Sequence, residues 1–258
     1  MSRLRAKCPD CGTYTAVALG PEYQCHSCGR QYGAGLVRVP RAWGTGGEAM
    51  AEAADLPLHY PETAVVEESS LSEQSLALAL DLPERPLVLG GCCCAHIGAV
   101  EGLAARGGRL GLVWLDAHGD LNTPESSPSG NEWGMPLRML IDAGAVRTED
   151  VALIGARKLD PPEEDYAASH GIQMGEGAIA RAVAGVDGVY VALDCDALDP
   201  VEITPFMPEP DGIPLEDAER MLDHIRRSTP VLGAGLSGLT PDGANVGPVS
   251  RLCNALGL

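Results

Sequence analysis

The segment that decides the fold reads LGLVWLDAHGDLN (Leu110–Asn122), an apolar run of six residues followed at once by two carboxylates around an imidazole. A second segment, VYVALDCDALDP (Val189–Pro200), has an apolar run of five residues followed at once by two carboxylates, Asp194 and Asp196. Unbroken apolar runs of this length are typical of parallel strands buried on both faces. Because the carboxyl ends of parallel strands lie at one edge of a sheet, we expect the two acidic groups to meet there.

The same pattern extends outward from these two segments. Apolar runs at 37–39, 87–89, 151–154 and 231–236 predict further strands. Amphipathic stretches predict helices at 47–54, 70–80, 95–106, 135–143, 176–184, 215–227 and 247–256. Strands that alternate with helices indicate an α/β fold, here a three-layer parallel sheet with helices on both faces.

The first 36 residues form a unit of another kind. Two CxxC pairs, Cys8 with Cys11 and Cys25 with Cys28, are separated by 13 residues, and each pair is followed by glycine. Four thiolates around one ion leave no open coordination position, which is typical of structural zinc. We therefore predict a zinc ribbon at 1–36 and an α/β hydrolase domain at 37–258. Iron, or a remnant without metal, is the alternative for the ribbon.

The charge and the cysteine content of the chain limit the kinds of binding partner and compartment that we expect. The chain has 36 acidic and 18 basic residues and a formal charge of -18, which disfavours nucleic acid and anionic membranes. The N-terminal segment 1–7 has no apolar run, so we expect no signal peptide. Nine cysteines in clusters suit a reducing compartment better than a disulfide framework. These features predict a cytoplasmic protein with a small-molecule partner.

The acidic segments predict a metal site. Alternate residues of an extended segment point the same way, so Asp116, His118 and Asp120 are expected to converge, as are Asp194 and Asp196. Such a group is strongly self-repelling without cations. Mixed oxygen and nitrogen ligation suits divalent manganese, iron, cobalt or zinc. The alternative is that both segments are solvated loops at strand ends.

The motifs WLDAHGDLN (114–122), SGN (129–131) with GMP (134–136), and LDCDALDP (193–200) resemble those of the arginase/agmatinase, or ureohydrolase, family. The resemblance implies an arginase-like fold and two divalent metals, usually manganese, whose bridging hydroxide attacks a guanidinium-type carbon. It leaves a homo-oligomer and a monomer both open. A ribbon is not a usual part of this family.

The resemblance also implies residue roles. The expected metal ligands are Asp116, His118, Asp120, Asp194 and Asp196. Asp120 is also the expected catalytic residue, since it matches the residue that hydrogen-bonds the bridging hydroxide. An amino-acid end of the substrate would be held by Asn122, Ser127, Ser129 and Asp160, with Glu163 a weaker candidate for the role of Asp160.

Three positions depart from the family pattern. Cys93 stands where the sixth metal ligand, a histidine, is expected, and a thiolate there favours zinc or iron over manganese. His96 is the alternative ligand; the remaining alternative is that neither binds and the cluster is weakened or mononuclear. Trp133 replaces a proton-shuttling histidine of the arginase branch and would instead wall the substrate pocket or stack on a planar cation. Gly238 replaces a glutamate that pairs with the guanidinium. Met207 stands where a threonine is common, so the reacting end of the pocket is less polar.

Two function hypotheses follow. The first is a hydrolase that cleaves a C–N bond of a linear amidine, a guanidino or related compound with an amino-acid-like end. The second is a non-catalytic, metal-stabilised protein that binds an amino acid or a protein partner. A nucleic-acid module guided by the ribbon conflicts with the charge of -18.

Overall fold

The computed structural model describes residues 5–258. The first four residues of the predicted ribbon, and of the segment that carries the signal-peptide prediction, lie outside this range. The strands of the described part are β1 (Arg5–Ala6), β2 (Ala16–Leu19), β3 (Glu22–Cys25), β4 (Gln31–Tyr32), β5 (Gly35–Val39), β6 (Glu62–Val65), β7 (Pro86–Gly90), β8 (Leu110–Leu115), β9 (Val151–Ile154), β10 (Gln173–Met174), β11 (Gly188–Asp194) and β12 (Val231–Ser237). The helices are α1 (Glu48–Ala53), α2 (Leu71–Asp81), α3 (Ala95–Ala104), α4 (Pro136–Asp142), α5 (Pro161–His170), α6 (Ile179–Ala182), α7 (Leu215–Ser228) and α8 (Val246–Ala255).

Eight strands form one parallel sheet in the order β10-β9-β8-β11-β12-β7-β5-β6. The two segments that opened the sequence analysis, β8 and β11, are direct neighbours near its centre, with Leu115 opposite Leu193. The predicted parallel α/β sheet is therefore confirmed.

Successive residues of each central strand serve opposite faces of this sheet. Leu112 and Trp114 of β8 pack into a core built with α2, α3, α4 and α5. Val113 and Leu115 pack into a second core built with α6, α7 and α8. Because side chains alternate along a strand, one apolar run supplies both cores. The result is the predicted arrangement of three layers.

The predicted elements differ from the structure in three places. Helix α5 was missed, because its sequence PPEEDYAASH contains few apolar residues and opens with two prolines. The helix expected at 176–184 is a 3-10 turn followed by the four residues of α6. The short strands β6 and β10 were missed as well. In the described part, no helix has the length and apolar character needed to cross a membrane.

The strands β1–β4 form a separate antiparallel sheet at the N-terminus. It has a small core of its own, composed of Ala6, Cys8, Ala16, Tyr23, Cys25 and Tyr32. Lys7 exchanges two backbone hydrogen bonds of 3.0 and 3.1 Å with Glu62 of β6, so the small sheet lies against the edge of the large one. Strand β5 of the large sheet begins at Gly35. The division at residues 36 and 37 stays a prediction.

Candidate metal centre and pocket

The expected ligands lie at the carboxyl ends of three strands, and a serine lies at the end of a fourth strand between them. Cys93 follows β7, Asp116 follows β8, Asp194 ends β11 and Ser237 ends β12. Since these strands are consecutive in the sheet order β8-β11-β12-β7, their ends form one continuous floor. The floor assembles residues that are up to 144 positions apart in the sequence, as Cys93 and Ser237 are.

Asp116 lies at the centre of this cluster. Its Oδ1 lies 3.3 Å from Nδ1 of His118, which also lies 3.0 Å from Oδ2 of Asp196. Its Oδ2 lies 3.5 Å from the sulfur of Cys93, and that sulfur lies 2.9 Å from Oδ2 of Asp194. Two groups could each hold an ion, one of Cys93, Asp116 and Asp120, the other of Asp116, His118 and Asp196. Asp116 belongs to both.

The side chains converge for a different reason than strand alternation. Strand β8 ends at Leu115, and Asp120 has a φ of 52°, a left-handed conformation that few non-glycine residues adopt. Asp196 lies in a 3-10 turn after β11. The expectation of an extended segment was therefore wrong, although the residues meet. Backbone amides hold the loops in place: His118 donates to Asp116 at 2.7 Å, and Ala117 donates to Asp196 at 2.9 Å.

Burial and mutual repulsion shape the charges here. Loss of hydration and the nearby Asp116 hold the pKa of Asp120 well above its usual range. Burial and the charge of Asp194 do the same for Asp196. Burial lowers the pKa of His118, but hydrogen bonds to Asp116 and Asp196 outweigh it and raise the pKa to about 12. Among residues 5–258, no group forms a hydrogen bond with the buried Oδ2 of Asp120. A concentration of acceptors with an unpaired oxygen is suited to cations.

The structure separates the two candidates for the sixth ligand. Cys93 lines the cavity beside the aspartates, and burial together with the charge of Asp194 raises the pKa of its thiol well above the ordinary value. His96 is buried beneath the cluster with both ring nitrogens engaged, Nε2 at 3.1 Å from the hydroxyl of Ser237 and Nδ1 at 3.1 Å from that of Tyr190. Of the two candidates, only Cys93 lines the cavity.

His96 has a supporting position instead. Burial lowers its pKa to about 3, so the ring is neutral near pH 7. The hydroxyl of Ser237, which contacts this ring, also lies 3.2 Å from Oδ2 of Asp194 and 3.2 Å from the sulfur of Cys93. The buried ring and hydroxyl thus hold two candidate ligands from below.

A cavity of about 270 Å³ opens above the cluster. It brings together every residue predicted for the metals and the substrate: Cys93, Asp116, His118, Asp120, Asp194, Asp196, Asn122, Ser127, Ser129, Trp133 and Asp160. Glu163 and Met207 line it as well. The sequence analysis missed Met50, Cys92, Asn131, Gly134, Lys158 and Glu209. Lys158 and Glu209 lie in loops after β9 and β11, and a position beyond the carboxyl end of a strand was the signal that could have found them.

The far end of the cavity is built from a helix start. Asp160 caps α5 in a reciprocal capping box with Glu163. It also accepts a hydrogen bond of 3.0 Å from Nδ2 of Asn122. Glu163 accepts from the backbone amides of Asp160 and Leu121 at 2.8 and 2.9 Å, which ties its carboxylate to the scaffold.

Two hydroxyls and an indole complete the wall. Ser127 and Ser129 accept backbone hydrogen bonds from Gly130 and Asn131 at 3.0 and 3.2 Å, and their own oxygens lie 3.4 Å apart. Accepting from the backbone leaves hydroxyl hydrogens to donate to a ligand. Trp133 packs edge-on against a phenylalanine, with ring centroids 6.4 Å apart, and lines the cavity.

The four ribbon cysteines form a second cluster, far from the cavity in the fold. Sulfur atoms of Cys8 and Cys28 lie 3.7 Å apart, and those of Cys11 and Cys25 lie 3.6 Å apart. A tetrahedral zinc with bonds of about 2.3 Å requires sulfurs about 3.8 Å apart. The four thiols are thus gathered at the spacing of one metal ion.

Solved structures of arginases have a fold similar to that of this chain. The chain resembles the arginase structures of Bacillus subtilis (TM-score 0.75, 24% identity, 86% of this chain and 96% of that chain) and Bacillus caldovelox (TM-score 0.72, 25% identity, 86% and 96%). In sequence it is 34% identical over 163 residues to an arginase of Staphylococcus aureus, 54% of each chain. It therefore spans about half the length of the curated relatives it matches.

The family assignment rests on a longer match. A sequence profile described as the arginase family matches residues 30–252, which include the whole parallel sheet and its cavity. The chain belongs to the arginase family.

Proposed function

We propose that this protein is a metal-dependent hydrolase that cleaves a C–N bond of a linear amidine, a guanidino or related compound with an amino-acid-like end. The observation that carries the proposal is the sharing of Asp116 by two three-ligand groups at the floor of one cavity. The relatives named arginase support the same reaction class.

The residues present fit a pair of divalent cations. The buried Oδ2 of Asp120 has no partner in the described part of the chain, and four buried aspartates share one floor. Cys93, Asp116, Asp120 and Asp194 would hold one ion, and Asp116, His118 and Asp196, again with Asp194 beside them, the other. Such cations would supply a water nucleophile at neutral pH and stabilise the charge that develops on the substrate.

The metals need not be alike. The sulfur of Cys93 faces the first group, and soft thiolate ligands favour zinc or iron. The second group offers carboxylates and an imidazole, which suit manganese equally well. We propose manganese, zinc or iron in the cavity and one structural zinc in the ribbon.

The chain's own side chains would position the substrate and the water. Asp120 is placed to accept a hydrogen bond from the attacking water through its free Oδ2. Ser127, Ser129 and Asn122 would bind the carboxylate of the far end, and Asp160 its ammonium group. Trp133 would wall the cavity against bulk water.

The test combines metal counting with a substrate screen. Elemental mass spectrometry of the full chain, before and after soaking in manganese, should give about three metals per chain. A screen of guanidino and formimino amino acids should then show release of urea or ammonia. Asp120→Asn should abolish turnover, whereas Glu125→Gln, an exposed carboxylate on the same loop, should not.

One outcome favours the non-catalytic alternative. If a single zinc binds and no amidine is turned over, the cluster is a relic and the cavity is a binding site. Trp133 in the cavity wall and the absence of a side chain at Gly238 are the observations that speak for that alternative.

A further inference from the structure

We propose that Glu209 is the carboxylate that recognises the cationic amidine end of the substrate; this inference rests on the proposed function. Glu209 lines the cavity, and its Oε1 lies 3.7 Å from Nε2 of His118, a proposed ligand. Its side chain is therefore beside the floor on which the reacting carbon would lie.

The backbone at the end of β12 cannot supply this carboxylate. Gly238 has a φ of +69°, and a Cβ there would lie 2.1 Å from Oδ1 of Asp194. Its amide donates to the carbonyl of Gly91 at 3.2 Å, and its carbonyl accepts from Phe206 at 2.7 Å. This segment is thus fixed from both sides, and a side chain at 238 would collide with the cluster.

The other carboxylates of the cavity are held in contacts of their own or are assigned to other parts of the substrate. Glu163 accepts two backbone amides, and Asp160 accepts the amide of Asn122. The four aspartates of the floor face one another and the proposed ions. Within the described residues, His118 is the only cationic side chain within 4 Å of the carboxylate of Glu209. Glu209 is therefore the carboxylate that remains for a cation in the cavity.

Arg157 fixes Glu209 relative to the floor. One guanidinium nitrogen, Nη2, donates to the backbone carbonyls of both Asp196 and Glu209, at 2.8 and 3.0 Å. Its Nε donates to the carbonyl of Pro210 at 2.7 Å. Prolines on both sides of Glu209 restrict the backbone further. The backbone that carries Glu209 is held this way, so binding a planar cation would order little more than its side chain, which favours the affinity.

The experiment uses two probes of the same size, ethylguanidine and ethylurea, titrated calorimetrically into the metal-loaded full chain. The wild-type protein should bind the cation more tightly than the neutral urea. Glu209→Gln should weaken ethylguanidine binding about tenfold or more and leave ethylurea binding within about twofold. Asp211→Asn is the matched control, since it removes the same charge from an exposed position on the same loop and should change neither.

Three outcomes would overturn the inference, and they are distinguishable. If Glu209→Gln binds ethylguanidine as the wild type does, Glu209 does not recognise the cation, and the proposed function is unaffected. If the variant loses metal while its loaded fraction binds normally, Glu209 orients His118 instead. If the wild type binds neither probe, the proposed amidine pocket fails and the inference fails with it.

Discussion

The protein contains two cysteine-bearing clusters that are built in different ways. The ribbon cluster gathers its four thiols from two turns within residues 8–28. The cavity cluster gathers Cys93 and its carboxylate partners from loops after separate strands of the large sheet. One cluster is local in sequence and the other is not.

The ribbon turns repeat one local geometry. Gly12 donates to the carbonyl of Cys8 at 3.0 Å, and Gly29 donates to that of Cys25 at 2.8 Å. Both glycines have positive φ, 70° and 77°, which glycine adopts without strain. The cavity cluster depends instead on the register of β8 with β11 and of β7 with β12. We therefore expect that loss of a ribbon thiol disrupts only the ribbon, whereas the geometry of the cavity cluster depends on the whole parallel sheet.

The largest expected effect is at the ribbon. Cys25→Ser removes one of four thiolates, and structural zinc supplies about 10 kcal/mol of folding free energy in such sites. The variant should lose one zinc per chain and the hydrogen-exchange protection of β2 and β3, while β8 and β11 stay protected. Ser27→Ala, on the same turn, is the control. Unchanged zinc content and an unchanged near-UV circular dichroism spectrum would show that the four thiols do not form a structural zinc site.

The next effect is at the shared aspartate. Asp116→Asn should remove both cavity metals and lower turnover about a thousandfold, which corresponds to about 4 kcal/mol of barrier. The ribbon zinc should remain, as elemental analysis would show. Asp199→Asn in the β11 loop is the control, because an asparagine can still accept the backbone amide of Val201. Full metal occupancy in Asp116→Asn would mean that the cluster is not the metal site.

The third prediction concerns pH and the buried histidine under the cavity. His96 has a pKa of about 3 in the fold against an ordinary 6.5. The unfolded chain therefore takes up a proton that the fold excludes, and the free energy of unfolding should fall by about 1.4 kcal/mol per pH unit as pH drops below 6.5. Above pH 6.5 the imidazole is neutral in both states, so this histidine no longer changes the free energy of unfolding with pH.

Urea unfolding at pH 7, 6 and 5 measures this term as a difference between variants. His96→Gln should flatten the pH dependence by this amount, whereas His224→Gln, an exposed residue of α7, should leave it unchanged. Equal slopes in the wild type and His96→Gln would show that the ring is not held neutral in the fold.

The last prediction tests the close packing at one glycine beside the cavity cluster. Gly238→Ala places a methyl group against Asp194 at a φ of +69°, and the left-handed conformation alone costs about 1–2 kcal/mol. The melting temperature and the metal affinity of the cavity should both fall, with the ribbon zinc unchanged. Gly243→Ala has open space around its new methyl and is the control. A Gly238→Ala protein with wild-type stability and metal content would contradict the close packing at Asp194.

Part of the structure was predictable because its signals are local. The apolar run of β8 was predicted with its observed bounds, Leu110–Leu115, and the two CxxC turns predicted the four-thiol cluster. Helix α5 was not predicted because its sequence has no clear apolar face, and its main helix signal is the capping box of Asp160 with Glu163. The edge strands β6 and β10 were not predicted because two to four residues are too few to show an alternation of apolar and polar residues.

The sequence by itself determined the family motifs, the strand and helix alternation, and most of the residues that line the cavity. Only the tertiary structure separates Cys93, which lines the cavity, from His96, which lies beneath it, because which of two buried side chains faces the floor depends on how α3 packs over β12. It alone placed Glu209 beside His118, since Arg157 joins loops that are distant in the chain. Backbone chemistry fixes local geometry, whereas contacts across a sheet exist only after its strands have found their neighbours.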